Sequence, residues 1–180
     1  MEPSVAQAKV IVDELIRCGV TDVVLSPGSR SAPLALELAA AQSRFDIRLH
    51  VRLDERVAAF VALGLGKATG IPAAVATTSG TAVANLLPAV IEADHSYVPM
   101  LILTADRPPQ LRGIGANQTI AQMSIFGPHV RSSKDLATAT HAEGQVKYWR
   151  SEVSRAVGVA TDSVSPGPVH LNIPFSAPLV

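Results

Sequence analysis

The chain has 180 residues, enough for one domain with a sizeable core, and 48% apolar against 17% charged residues excludes a disordered polymer. Fifteen basic side chains balance fifteen acidic ones, so no net field favours nucleic acid or an anionic membrane. One cysteine, Cys18, excludes an internal disulfide framework and points to a reducing cytoplasmic compartment, and no apolar run reaches the ~20 residues of a membrane helix.

Residues 1–9 are too polar and mixed for a secretory leader. Ser4, followed by Gln7, predicts a capping box. The helix it opens carries Ala8, Ile11, Val12, Leu15 and Ile16 on one face and stops at Gly19. Cys18, at the close of this helix, reads as a packed small hydrophobe rather than a nucleophile. Asp22–Leu25 is a short buried strand, broken by Ser26-Pro27-Gly28-Ser29. Ala32–Gln42 is helical, with Pro33 in its first turn. Ile47–Leu53 alternates as a strand, and Asp54 caps a helix running to about Ala68. Ala73–Thr77 is the third strand. A helix from about Gly80 to Asp94 follows, with a kink at Pro88. Met100–Thr104 is an apolar strand suited to a central position. Arg107–Ala116 is a loop, Gln118–Ile125 a short helix, Val130–Ser133 a strand, Ala142–Thr161 the last long helix and Val169–Ile173 a final strand. The alternation predicts an α/β fold of three layers, a central parallel sheet with helices on both faces.

In such sheets ligands bind beyond the carboxyl ends of the strands. The most polar and glycine-rich words stand at those ends: Ser26–Ser31, Asp54-Glu55-Arg56, Thr77–Thr81 and Thr104–Pro108. Glu55 in a first helical turn is either a carboxylate favoured by the positive helix end or a general acid-base group. Ser26–Ser31 is either a turn or an anion cradle of backbone N–H groups, to which Arg30 adds a fork suited to a carboxylate. Arg107 is either a solvated loop residue or, paired with Arg30, a second donor for a dicarboxylate. Eleven arginines against four lysines suit planar carboxylate capture, although codon bias gives the same excess. Gly64–Gly70 lacks the order and the strand of a phosphate loop; its small residues suit close helix packing. The five histidines show no metal-ligand spacing and suit surface or core roles.

Several words occur in one order. They are Ser26–Leu34, His50 through Asp54-Glu55-Arg56, Thr78–Ala82, Thr104–Pro109, Gly115–Gln118 and the closing Gly167–Pro174. This ordered set closely resembles the 2-succinyl-5-enolpyruvyl-6-hydroxy-3-cyclohexene-1-carboxylate synthases, thiamine diphosphate enzymes of menaquinone biosynthesis. The resemblance implies a pyrimidine-binding domain over residues 1–180, within an enzyme of three α/β domains whose active site is shared between two subunits of a homodimer or higher oligomer. It implies that Glu55 hydrogen-bonds the pyrimidine ring nitrogen and so promotes the reactive ylid. Pro27, Gly28, Thr78, Ser79 and Gly80 would line the cofactor; Ser29, Arg30, Arg107, Asn117 and Gln118 would meet the substrates, 2-oxoglutarate and isochorismate. The chain carries no Gly-Asp-Gly followed by an Asn-Asn pair. The Mg²⁺ and diphosphate site is therefore expected in a C-terminal domain, and no metal ligand is assigned within this chain. The 180 residues alone are expected to be inactive. Val57–Leu65 and Val83–Ile91, apolar on most sides, predict self-association. Two other readings are an acetolactate synthase-like decarboxylase, which the paired arginines disfavour, and a non-catalytic binding module on the same fold.

Overall fold

A computed structural model describes all 180 residues. In chain order it contains α1 (Pro3–Arg17), β1 (Asp22–Leu25), α2 (Ala32–Gln42), β2 (Arg48–Val51), α3 (Glu55–Thr69), β3 (Ala73–Thr77), α4 (Thr81–Ala84), α5 (Leu87–His95), β4 (Met100–Asp106), β5 (Ser132–Asp135), α6 (Gln145–Ala160) and β6 (Pro168–Pro174). The strands form one sheet in the order β2-β1-β3-β4-β6-β5, every neighbour parallel. This is the expected three-layer α/β architecture, with β4 near the centre. No helix is long and apolar enough to cross a membrane.

Side chains alternate across the pleat and build a core on each face. Val23, Leu25, Ala74, Ala76, Leu101, Leu103, Val169, Leu171 and Ile173 share one cluster with residues of α1, α2 and α6. Val24, Ala73, Val75, Met100 and Ile102 share the other with residues of α3, α4 and α5. The small side chains of β3 let helices approach both sides. Gly66 shows the same economy, because a Cβ there would meet the Pro99 carbonyl oxygen at 2.7 Å. Within the Gly64–Gly70 stretch only Gly66 serves close packing; Gly64 and Gly70 are exposed with open space beside them. Gly70 (φ 70°) ends α3 in a left-handed turn, and Asp54 caps its start, accepting from Val57 N–H at 2.9 Å.

Several local expectations fail, some to a tertiary partner and one to a local backbone constraint. The Ser4–Gln7 capping box does not form. Glu2 stands at the cap, Ser4 Oγ donates to the Ser176 carbonyl and Gln7 Nε2 to that of Ala137, so both side chains tie α1 to distant chain. The helix expected over 80–94 is two helices rather than a kinked one. Pro88 has no N–H to offer Ala84, and the chain restarts with Pro88 in the first turn of α5. Gln118–Ile125 is irregular chain between two turns, not a helix. The strand expected at 130–133 is shifted to Ser132–Asp135, and the 47–53 strand shortens to Arg48–Val51. Cys18 is half-buried against the core, its Sγ 3.7 Å from Ser154 Oγ.

Candidate active site

Chain order runs outward from β1 to β2 and then back across β1 to β3, so the crevice between the C-terminal ends of β1 and β3 is a topological switch point. The loops after those two strands meet there. Gly28 lies so close to Thr78 that an added Cβ would sit 2.5 Å from the Thr78 Cβ. Its φ of −168° is ordinary extended backbone, so space rather than conformation demands glycine. Ser29–Ser31 makes one 3₁₀ turn leading into α2, with Ser31 Oγ donating to the Gly28 carbonyl at 3.0 Å. Pro27 and Ser29 are exposed.

Glu55 is the first residue of α3, just past the C-terminal end of β2 at the same edge. It is half-buried, and no hydrogen bond or ion pair within the chain engages its carboxylate. A carboxylate so placed is held ready for a donor that the chain itself does not supply.

Arg30 and Arg107 approach from the other side. Arg30 Nη1 donates to the Phe175 carbonyl at 2.8 Å, while its buried Nε has no partner. Burial first, and then the neighbouring Arg107 charge, lower the Arg30 pKa, with Asp106 opposing. Two cations that repel one another in a partly dry place favour an anion between them. Arg107 Nη1 donates to Ser79 Oγ at 3.2 Å. Six buried side-chain polar atoms of the protein lack a partner, and three of them, Arg30 Nε, Thr77 Oγ1 and Thr78 Oγ1, belong to this edge. Leaving such groups unpaired costs ~1–3 kcal/mol each, which a bound polar ligand would recover.

Ser79 and Gln118 are locked reciprocally. Ser79 Oγ donates to the Gln118 carbonyl at 3.0 Å, and Gln118 Nε2 donates to the Ser79 carbonyl at 2.9 Å. Gln118 adopts φ 56°, and this left-handed residue is what prevents a helix from starting here. Asn117 is exposed and its side chain contacts none of the others. The structure thus brings Gly28, Arg30, Thr78, Ser79, Gly80, Arg107 and Gln118 together. Glu55, Pro27, Ser29 and Asn117 share the edge, but no side-chain hydrogen bond joins them to that group.

The sequence reading missed a buried network beneath the Arg107–Gln118 segment. Asn172 on β6 donates through Nδ2 to Asp106 (2.8 Å) and Asp135 (2.9 Å), and its Oδ1 accepts from Thr104 (2.8 Å) and Gln122 (2.8 Å). All four of its capacities are filled. Arg112 spans Asp135 with both Nη atoms (2.6 and 3.1 Å), reaches Asp106 at 3.0 Å and donates through Nε to the Arg107 carbonyl. Burial raises the Asp106 pKa against the opposing pull of Asn172 and Arg112. His170 lies between Thr104 Oγ1 (2.7 Å) and Ser133 Oγ (2.9 Å), and burial pushes its pKa down to about 4. Thr104 spends its proton on Asn172, so a neutral ring donating through Nε2 and accepting at Nδ1 satisfies every atom. The readable signal was polar residues at alternate positions of apolar strands: Thr104 and Asp106 in β4, His170 and Asn172 in β6.

Folding also gathers Asp94, His95 and His129, whose ligand atoms lie within 4.8 Å of one another, a grouping that chain spacing hides. Both Asp94 oxygens are already engaged, one by Arg131 and the other by His129 Nδ1 at 3.0 Å, so a cation there would face a guanidinium. His50 Nε2 donates to Asp22 Oδ1 at 2.8 Å, far from the switch point, at the opposite end of β1.

The family model of the thiamine pyrophosphate enzyme N-terminal TPP-binding domain matches residues 6–125. Three curated relatives, from Saccharopolyspora erythraea, Thermobifida fusca and Rhodococcus opacus, are each named 2-succinyl-5-enolpyruvyl-6-hydroxy-3-cyclohexene-1-carboxylate synthase. The first two are 54% identical over 180 residues, covering all of this chain and 32% of the relative. The third is 52% identical over 182 residues, covering all of this chain and 34% of the relative. The chain therefore spans about a third of the length of the curated relatives it matches.

Proposed function

The chain belongs to the thiamine pyrophosphate enzyme family through its N-terminal TPP-binding domain, and from that premise we propose that it holds the aminopyrimidine of thiamine diphosphate at the β1–β3 crevice. Its relatives are named synthases, and the proposed reaction of the whole enzyme is the one the sequence resemblance implies, decarboxylation of 2-oxoglutarate and addition of the remaining carbon unit to isochorismate.

One observation carries this reading: the unengaged Glu55 carboxylate, half-buried at the start of α3 on the edge where Thr77, Thr78 and Arg30 also hold unpaired polar atoms. A ring nitrogen within reach of Glu55 would share a proton with it in a charge-assisted bond, about twice as strong as a neutral one. The bound cofactor supplies an electron sink for loss of carbon dioxide from a 2-oxo acid, chemistry that no side chain of this chain can perform. Gly28 and Gly80 keep the walls of the crevice free of side chains, and the Thr77 and Thr78 hydroxyls offer donors. Arg30 and Arg107 bind and orient a second carboxylate. That pair favours a dicarboxylate over the small monocarboxylate of an acetolactate-type enzyme. Asp106 and Asp135 are both committed to Arg112 and leave no open carboxylate pair for Mg²⁺. The metal and the diphosphate are proposed to be held by another domain of the whole protein.

Self-association belongs to the same proposal. Val57 (45% exposed) and Phe60 (44%) stand on the outer face of α3, one turn from Glu55. The 83–91 region contributes less than its composition predicts, since Val83, Leu86, Ala89 and Val90 are buried within the chain. A strictly monomeric species in sedimentation at high concentration would count against self-association. The function itself is tested with the full-length protein, thiamine diphosphate and Mg²⁺. Consumption of 2-oxoglutarate that requires isochorismate supports it, whereas preferential consumption of pyruvate, or none of either, overturns it.

A further inference from the structure

We infer that Gln122 is a positioning residue that couples the Thr78–Gly80 loop to the segment carrying Arg107, Asn117 and Gln118, so that cofactor and substrate contacts are set as one unit. The inference rests on the function proposed above. Gln122 is 2% exposed and offers nothing to a ligand. Its Oε1 accepts the buried Gly80 N–H at 2.9 Å, and its Nε2 donates to Asn172 Oδ1 at 2.8 Å and to the Ala105 carbonyl at 3.2 Å. An amide can accept on one side and donate on the other, and this site uses both. The acceptor side holds the β3 loop; the donor side holds the ends of β4 and β6.

The surroundings explain why such a coupler matters. Between Arg107 and Gln118 the chain is largely exposed and bends at Gly113 (φ 74°) and Gly115 (φ 75°), so it has little rigidity of its own. It is anchored at one end by Arg112 on Asp106 and Asp135, and at the other by Gln118 on Ser79 and Gln122 on Asn172. Both anchors converge on Asn172, which bonds the same two aspartates. Gly80 has no room to yield, since a Cβ there would meet Gln118 Cγ at 2.8 Å. A shift of Gly80 therefore displaces Gln118, and Arg107 follows through Ser79. Gly80, Arg107 and Gln118 belong to the proposed site, whereas Gln122 acts on ligands only through them.

Two near-isosteric variants of the full-length enzyme separate positioning from mere stability. Gln122→Met removes both sides of the amide. It is expected to raise the thiamine diphosphate Kd and the KM of both substrates by about tenfold or more, with the protein still folded. Gln122→Glu keeps the acceptor for Gly80 N–H but turns a carboxylate toward the Asn172 and Ala105 oxygens. It is expected to leave the cofactor Kd within about threefold while the substrate KM still rises by about tenfold. A purely structural residue would lower the melting temperature without this split. Kd and KM within about threefold of the unmodified enzyme in both folded variants overturn the inference. If Gln122→Met fails to fold, the Gln122→Glu split decides alone, and if neither folds, Gln122 is structural and the inference is wrong. An unmodified enzyme that binds thiamine diphosphate but turns over neither substrate breaks the functional reading only, because the Kd comparison still judges Gln122. One that binds no thiamine diphosphate sinks both.

Discussion

The two halves of the sheet's C-terminal edge handle polarity in opposite ways. On the β4–β6 side, Thr104, Asp106, His170 and Asn172 are buried and Asp135 is partly buried, yet every side chain finds partners within the chain. On the β1–β3 side, Glu55 is unengaged and Arg30 Nε, Thr77 Oγ1 and Thr78 Oγ1 are unpaired. Buried polar groups are expensive unless satisfied. The first half is satisfied within the chain and, in the proposed function, supports the second, which leaves polar groups open to a ligand. Perturbing the first should therefore register as lost stability, and perturbing the second as lost activity.

The largest effect is expected from Glu55→Gln in the full-length enzyme. The amide keeps the shape and forfeits only the helix-end interaction of ~0.3–1 kcal/mol. It cannot carry the charge that pairs with a protonated ring nitrogen, so carboligation should fall by about 10²–10⁴ with a native melting curve. Activity within about threefold of the unmodified enzyme would make Glu55 a helix-end carboxylate and nothing more.

Asn172→Leu is the counterpart on the saturated half. It strips a donor from Asp106 and another from Asp135, and it leaves Gln122 Nε2 and Thr104 Oγ1 short of their acceptor. A loss of about 2–4 kcal/mol in urea unfolding is expected, the scale for orphaned buried polar and charged groups. A cost below about 0.5 kcal/mol, the ordinary range for surface changes, would erase the contrast between the halves.

These two residues also mark how far the sequence could be read. The placement of the candidate-site half at one edge was legible because its residues fall in contiguous words at strand ends: Ser26–Ser31, Asp54–Arg56 and Thr77–Thr81. The supporting half was not, because Asp106, Arg112, Gln122, Asp135 and Asn172 are scattered over 67 positions of chain and meet only through the parallel β4–β6–β5 register. Strand periodicity located β1, β3 and β4 well, since burial on both faces leaves nearly unbroken apolar runs. The 118–125 region defeated it. Its local pattern suits a helix, but reciprocal Ser79–Gln118 bonds and the buried Gln122 keep it irregular.

Gly28→Ala probes the seam at the switch point with a smaller effect. The backbone there tolerates alanine, so the cost is steric alone: a methyl carbon 2.5 Å from Thr78 Cβ must push the two loops apart. About 1–3 kcal/mol is expected, the usual cost of overpacking, together with weaker thiamine diphosphate binding measured by titration. Full stability with unchanged binding would show that the crevice is wider than the Gly28–Thr78 contact implies.

The smallest effect is expected at the opposite end of β1, where a saturated cluster has no site to support. Asp22 accepts from Arg48, His50 and Thr21, and the Arg48 hydrogen bonds first, against the opposing cost of burial, hold its pKa down to about 2 from an ordinary 3.8. A carboxyl more acidic in the folded than in the unfolded state stabilises the fold above the unfolded pKa. That contribution fades as pH falls toward the folded value. Asp22 itself is only 4% exposed, but Arg48 is 56% exposed, so solvent screens the pair and its contribution stays near ~1 kcal/mol. Asp22→Asn should therefore be less stable than the unmodified chain by about that amount at pH 6–7, where the carboxylate is fully ionised in both states. The gap should narrow between pH 4 and pH 2 as the charge it depends on is lost. Urea unfolding of both proteins across that range reads the difference directly. A gap that persists at pH 2 would mean that shape and neutral hydrogen bonding, rather than charge, hold the β1–β2 margin together.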